Sequence, residues 1–257
     1  CKKREKCPPW EMSAKEIRHD KEKKIIHYKG ANLKVYDQKI FYFPKFFHPD
    51  PTVKRQTGFL IPRLQDNSAT GLSLKLPYFL AIAENKDITL SPRFFNDDKF
   101  LLQSEFRQKN KKSSHSADFS QFISSDKSSK GHLFYNLKKN YESKNFNDIE
   151  LDIKIEQVSD DTYLKAYKIE SPIINNNSNL LNSINLNLYN ENQTINTNLD
   201  IYEDLSKTNN DRYEYVPNFS FSKIINDNYS LKSNGYYKNY NTNITEKVLI
   251  NNLEFNS

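Results

Sequence analysis

Glycine is scarce in this chain, with five in 257 residues. Phosphate-cradling loops need glycine where the backbone approaches a phosphate. No Walker A or Rossmann pattern occurs, nor a GxSxG or HExxH motif. Cysteine is nearly absent. Cys1 and Cys7 stand in CKKREKCPPW, a C-x5-C spacing with no His or Cys following at finger distance, which is not a zinc pattern. The five histidines are scattered, and His19 and His27, on either side of a charged turn, read as solvated. Asp97-Asp98 and Asp160-Asp161 sit in turn-like sequence and read as loop carboxylates rather than an acid–base pair. No run of about 18 apolar residues exists, so no transmembrane helix is expected. The expectation is a non-enzyme with no cofactor and no metal.

What the chain does have is charge and aromatic surface. The formal net charge is +6, but Lys and Arg are dispersed among Asp and Glu. Without a recognition-helix, zinc-finger or RNA-binding signature, a solvated surface explains that charge better than nucleic acid does. The apolar fraction is 36% and the mean hydropathy is −0.84. Disorder is one reading of such polarity, but 16 Tyr and 17 Phe oppose it. A β-barrel with a wet interior is the other, because its strands are apolar on one face only.

Along the chain, residues 10–43 read as short strands with charged turns: Trp10, Met12 and Ala14 alternate with polar residues, then 25–28, Leu33 with Val35, and 40–43. Residues 46–60, FFHPDPTVKRQTGFL, extended by Ile61 and Pro62, hold three of the ten prolines. Pro49, Pro51 and Pro62 each interrupt a ladder, and His48 and Asp50, each before a proline, favour extended backbone. The stretch reads as a stiff, extended domain junction that includes His48, Pro49, Asp50 and Pro51. Beyond it the alternation is regular. Leu72, Leu74, Leu76, Tyr78, Leu80 and Ile82 share one face of 71–82. Ile149, Leu151, Ile153 and Ile155 alternate with Glu150, Asp152, Lys154 and Glu156. Four charges in a row on one strand face suit a water-filled lumen better than a soluble sandwich. Residues just past 158 interrupt the pattern with one helical turn, and NNNSN reads as a loop. About eleven strands follow the junction, an odd count. The chain begins at Cys1 without a signal-like segment and finishes near an apparent strand, so an internal stretch of a longer protein with an incomplete barrel is expected.

HPDPTVKRQTGFLIP, GLSLKLPYFLAIAENKDITLSPRFF and LLQSEFR, with PPWEMSAKEIRHDKEKKIIHYKGANLKVYDQKIFYFPKFF upstream, resemble the outer-membrane lipopolysaccharide-assembly (LptD, or OstA) family. The resemblance is close over residues 8–107 and only of pattern beyond. It implies an all-β chain. Residues 1–56 would be the C-terminal end of a periplasmic β-jellyroll with its junction, and 57–257 the first strands of a large antiparallel transmembrane β-barrel. It implies lipopolysaccharide transport at the bacterial outer membrane, with a plug lipoprotein and a periplasmic jellyroll bridge protein as partners. Pro62 and Pro77 match the two prolines of the family's lateral gate, and Pro92 would extend that weak seam; the plain alternative is that they mark an edge or a bulge. Ile40, Tyr42 and Phe47 are candidates for contact with acyl chains, or simply for core. Lys75, Arg93 and Arg107 would meet phosphates or acidic sugars, or pair with Glu105 or Asp152. The family ties its periplasmic part to the far end of its barrel with disulfides, so Cys1 and Cys7 would pair with each other or with cysteines elsewhere. A general porin or nutrient transporter explains the alternation but not the proline-rich junction. A secreted β-rich adhesion module needs no aromatic girdle, whereas Tyr and Phe here fall near strand ends.

Overall fold

The computed structural model describes the chain apart from residues 1–9, 36–37, 54, 68–69, 97–98, 125–128, 227–228, 242–243 and 256–257. Cys1 and Cys7 therefore lie outside the described residues. Two antiparallel sheets account for most of the rest. The first joins β1 (Trp10–Asp20), β2 (Ile25–Val35) and β3 (Gln38–Pro49) in that order. β3 is an edge strand, where proline is tolerated, and it runs through residues 46–49. The expectation of an irregular stretch from 46 onward is corrected there.

The chain then turns instead of crossing extended. Val53 N–H donates to the Asp50 carbonyl at 2.9 Å, and the Asp50 carboxylate accepts from Thr52 N–H at 2.8 Å and Thr52 Oγ1 at 2.7 Å. Asp at the first position and Pro51 at the second are the residues such a turn selects. Asp50 N–H also donates to the Lys24 carbonyl at 2.8 Å, and His19 pairs with the Asp50 carboxylate. The junction is thus tied back onto the β1–β2 turn.

The second sheet has fourteen strands. They are β4 (Gly58–Phe59), β5 (Arg63–Gln65), β6 (Ser73–Lys75), β7 (Tyr78–Ala83), β8 (Lys86–Phe95), β9 (Phe100–Lys109), β10 (Ser113–Ile123), β11 (Ser129–Tyr141), β12 (Asp148–Val158), β13 (Asn179–Tyr189), β14 (Gln193–Asp204), β15 (Tyr213–Asn226), β16 (Tyr229–Asn241) and β17 (Ile244–Phe255). One helical turn, α1 (Tyr163–Ala166), lies between β12 and β13. The order is an up-and-down meander, β17 to β8 and then β6 and β5, with β4 on β7 and β7 on β8. β4 with β5, and β6 with β7, are halves of single runs, so the fourteen strands form twelve lines. The line missing from the sequence reading is the first, because its proline and its two short ladders hide its alternation.

The two faces of this sheet are inverted relative to a soluble protein. Ile82, Phe94, Leu133 and Ile184 are each about half exposed, while Arg93, Gln103, Asp118 and Glu156 are buried. Pairing places each of these sets on a common side. Gln103 faces Ser120, Ser120 faces His132, and Asp118 faces Phe134, which faces Glu156. Apolar side chains held out and polar ones held in are what a bilayer-facing wall requires. Among the described residues no helix is long and apolar enough to cross a membrane. Strands of 10 residues (β8) to 14 residues (β15), rising about 3.4 Å each, are long enough to do so when tilted.

Candidate functional site

The first two lines of the sheet meet in a broken ladder. Gly58 faces Phe79 and Phe59 faces Tyr78, and Leu60 N–H then donates to the Pro77 carbonyl at 2.8 Å. Pro77 has no N–H to return that bond. Pairing resumes at Arg63 opposite Lys75, with the register moved by one residue. Ile61 and Pro62 are therefore the two residues set against Leu76 alone, a bulge. On its other side Leu76 donates to the Pro92 carbonyl at 2.9 Å, again with no return donor. Pro62, Pro77 and Pro92 thus act on one spot. The run expected over 71–82 as a single strand is split there into β6 and β7, while both halves stay in register on β8.

A cavity of about 1020 Å³ lies between the two sheets at this break. Met12, Tyr28, Phe46 and Phe59 give it an apolar side, with Tyr28 and Phe59 rings 5.6 Å from that of Phe46. Lys75, Glu105 and Arg107 give it a charged side, and Pro62 and Pro77 both stand on its wall. His48, Asp50 and Pro51 line it as well; Pro49 closes β3 beside them. Arg107 Nε and Arg55 Nη2 share the Asp87 carboxylate at 2.8 and 2.9 Å, and Lys75 Nζ donates to Gln103 Oε1 at 3.3 Å. Arg107 therefore pairs with Asp87 rather than with Glu105 or Asp152. Ile40, Tyr42 and Phe47 are exposed and stand outside this cavity.

Arg93 has a different task. It is 3% exposed, donates through Nε to Ser73 Oγ at 2.8 Å and through Nη1 to the Tyr167 carbonyl, and lies 4.9 Å from the Phe95 ring centroid. It helps hold residues 159–178, the β12–β13 connection, which folds back over the polar face. Tyr163, Leu164, Ile169 and Ile173 of that segment form a buried cluster with Leu101, Phe122, Phe134, Leu180 and Leu205. Beneath it, Ser120 Oγ shares hydrogen bonds with Tyr163 OH and with His132 Nδ1, both at 2.6 Å, and His132 Nε2 lies 3.2 Å from Asp118 Oδ1. Gln103 Nε2 donates to Asp118 and, at 2.9 Å, to the Glu170 carbonyl. The segment also grips the β5–β6 hairpin: Asn67 Nδ2 donates to the Ala166 carbonyl at 2.6 Å, Lys168 Nζ to the Asp66 carbonyl at 3.0 Å, and Arg63 pairs with Glu170 at 2.9 Å. Sequence reasoning treated this segment as a mere interruption. The signal it passed over was two tyrosines and a run of aliphatics, Tyr163, Leu164, Tyr167, Ile169, Ile173 and Ile174, in a connection that otherwise reads as polar. Among the described residues no cluster of three potential metal ligands occurs.

The base of the segment is fixed by charge. Asp160 accepts from Thr162 Oγ1 at 2.6 Å and pairs with Lys130 at 2.9 Å, and these contacts, Thr162 first, hold its carboxyl down at about 2. Asp161 is also held low, chiefly by hydrogen bonds from Arg212, which bridges to Glu203 at 2.7 Å. A carboxyl held below its unfolded value stabilises above that value and loses the contribution as pH falls through the folded one. Protection of residues 159–178 from protease is therefore expected to be constant from neutrality down to about pH 4 and to fall between about pH 4 and pH 2. Asp160→Asn should weaken protection already at neutral pH and flatten that acid step. A step of the same size in the variant would show that Asp160 does not fix the base.

A family profile, LptD: LPS transport system D, matches residues 128–250. The LPS-assembly protein LptD of Acinetobacter baylyi is 38% identical over 106 residues, covering 39% of this chain and 13% of that protein. The protein of the same name from Psychrobacter arcticus is 28% identical over 193 residues, covering 72% of this chain and 21% of its own. This chain thus spans about a fifth or less of the relatives' length. A solved bacterial polysaccharide outer membrane secretin aligns over 90% of this chain and 79% of its own, at a TM-score of 0.32 and 8% identity.

Proposed function

We propose, on the premise that this chain is a segment of an LptD-family protein, that it forms the part of an outer-membrane translocon where lipopolysaccharide passes from a periplasmic domain into a barrel. The observation that carries this reading is the cavity whose lining changes from Met12, Tyr28, Phe46 and Phe59 to Lys75 and Arg107, with both prolines on its wall. An amphipathic lipid has the matching division. Its acyl chains keep to the apolar side and the bilayer, while its sugars and phosphates enter the lumen, the polar face of the sheet. Residues 1–56 are the end of the jellyroll in this reading and 57–257 the beginning of the barrel. The first line is the moving edge, because two short ladders and a proline break hold it to its neighbour. A plug lipoprotein and a periplasmic jellyroll bridge complete the path.

No chemistry is asked of the protein. The Ser120–His132–Asp118 array is buried beneath Tyr163, whose hydroxyl already bonds Ser120 Oγ, so it serves as a packed anchor for the segment above it.

The test is depletion of the full-length protein in its host, followed by labelling of surface lipopolysaccharide. Loss of surface label with lipid retained inside the cell is expected. Unchanged label would remove the cargo and leave a general porin as the reading of the barrel.

A further inference from the structure

The wall formed by β12–β15 carries a feature that transport of a lipid does not by itself require. Its polar face is an array of amides. In one row across the strands Asp152 faces Asn185, Asn185 faces Asn198, and Asn198 faces Asn218; in the next, Glu150 faces Asn187 and Asn187 faces Asn196. These residues line a second cavity of about 460 Å³. Around these rows the enrichment is concentrated on one side. The intervening positions are Ile184, Leu186, Thr197, Leu199 and Phe219, four of the five apolar, and of these Ile184, Leu199 and Phe219 are exposed on the apolar face. A general excess of asparagine in the chain would not sort itself this way.

Charge decides what such a wall suits. Lys138 at its margin is paired with Asp152 at 3.3 Å, which leaves Glu150 as the uncompensated charge. A phosphate would meet a neutral-to-negative surface here, whereas the cations Arg63, Lys75, Arg93 and Arg107 all lie on β5, β6, β8 and β9. The amides have spare capacity. Asn198 Oδ1 is buried without a partner, although its Nδ2 donates to Asp200 at 3.2 Å. Asn196 is held by Ser220 Oγ at 3.0 Å, and Asn187 reaches Glu150 only at 3.4 Å. Each amide presents both a donor and an acceptor, as vicinal hydroxyls require. Neighbouring strands at about 4.8 Å and alternate residues at about 6.8 Å set them on a grid comparable to the width of a hexose ring.

We propose that this wall is a binding surface for neutral, hydroxyl-rich glycan, distinct from the basic side of the lumen that takes phosphates. The inference rests on the transport reading above and names the part of the cargo this wall handles. The cavity lining contains no aromatic ring on which a sugar would stack, so binding is weak, with Kd on the order of millimolar. Weak contact repeated over several amides is what a conduit needs, since tight binding would stall passage.

The test uses purified full-length protein and a linear neutral glucan, maltohexaose, followed by saturation-transfer NMR. Saturable binding is expected, unchanged when NaCl is raised from about 0.05 to 0.5 M, because neutral contacts are not screened. Combined Asn185→Ala, Asn198→Ala and Asn218→Ala should weaken it at least fivefold, while Lys75→Gln with Arg107→Gln should leave it unchanged. Absence of saturable binding, loss with salt, or equal binding by the triple variant would each overturn the proposal. If the alanine variant does not assemble, the corresponding serine variant is expected to show the same direction, and the salt series on the unaltered protein decides independently. Normal surface lipopolysaccharide after depletion, with sugar binding intact, would sink the transport reading but leave a glycan site. Lost lipopolysaccharide without sugar binding would do the reverse.

Discussion

Replacing Pro62 and Pro77 together by alanine in the full-length protein is expected to cut delivery of new lipopolysaccharide to the cell surface several-fold, at an unchanged level of assembled protein. The reason is the single break at which both residues act. Leu60 already donates to the Pro77 carbonyl, so an alanine N–H at position 77 finds its acceptor, the Leu60 carbonyl, directly opposite. Alanine at 62 supplies a donor within the Ile61–Pro62 bulge that faces Leu76. The ladder bond restored at position 77 contributes about 1 kcal/mol, or roughly a five-fold fall in the open fraction if the first line must move. Pro92→Ala is the internal control. Its regained N–H faces Leu76 from β8, one line further from the edge, and should affect delivery less. Normal surface label in the double variant would show that the break is only a bulge in a static wall.

Much of this region could be read from residue order. Alternation at a period of two assigned the faces of β12 correctly, with Ile155 exposed and Glu156 buried against the Leu181 N–H at 2.7 Å. The break at Pro77 is not visible in the alternation, which runs through 71–82 as one strand; the family resemblance is what singles Pro77 out. What failed was the reading of residues 46–62 as one stiff, extended junction. Pro49 ends a regular edge strand, Pro51 sits in a turn made by Asp50 and Thr52, and Pro62 lies inside the first line of the large sheet. The same residue type serves three backbone states, and only the partner strand distinguishes them.

The polar anchor was not legible for another reason. Ser120 and His132 are twelve positions apart, and Asp118 reads as one more inward polar residue. They meet because the β10–β11 register sets Ser120 directly opposite His132, and a slip of one residue would separate them. Register is a property of the pair of strands, and neither strand encodes it alone. The segment over the anchor has no periodicity to detect, since its apolar residues are spaced to fit the wall beneath rather than a helix or a strand.

The second large effect is expected at Tyr163. Its side chain is fully buried, and its hydroxyl is held by Ser120. Tyr163→Ala removes an aromatic ring from the cluster at a cost of about 3–5 kcal/mol and leaves Ser120 with one partner fewer. The strands beneath do not depend on that ring, because β10, β11 and β12 are paired along nearly their whole lengths. The loss should therefore fall on residues 159–178, which detach while the wall persists. In planar bilayers the full-length variant is expected to conduct more than the unaltered protein, and cells carrying it should admit large hydrophilic antibiotics more readily. Tyr163→Phe keeps the packing and gives up only the hydroxyl bond, about 1 kcal/mol, and should behave nearly as the parent. Equal conductance of Tyr163→Ala and parent, with the variant assembled, would mean that the segment does not close the lumen. A detached segment also releases the Asn67, Lys168 and Arg63 contacts to the β5–β6 hairpin. The first line would then be freer to move, so Tyr163→Ala should partly restore delivery in the Pro62→Ala, Pro77→Ala background if one element governs both the lumen and the edge.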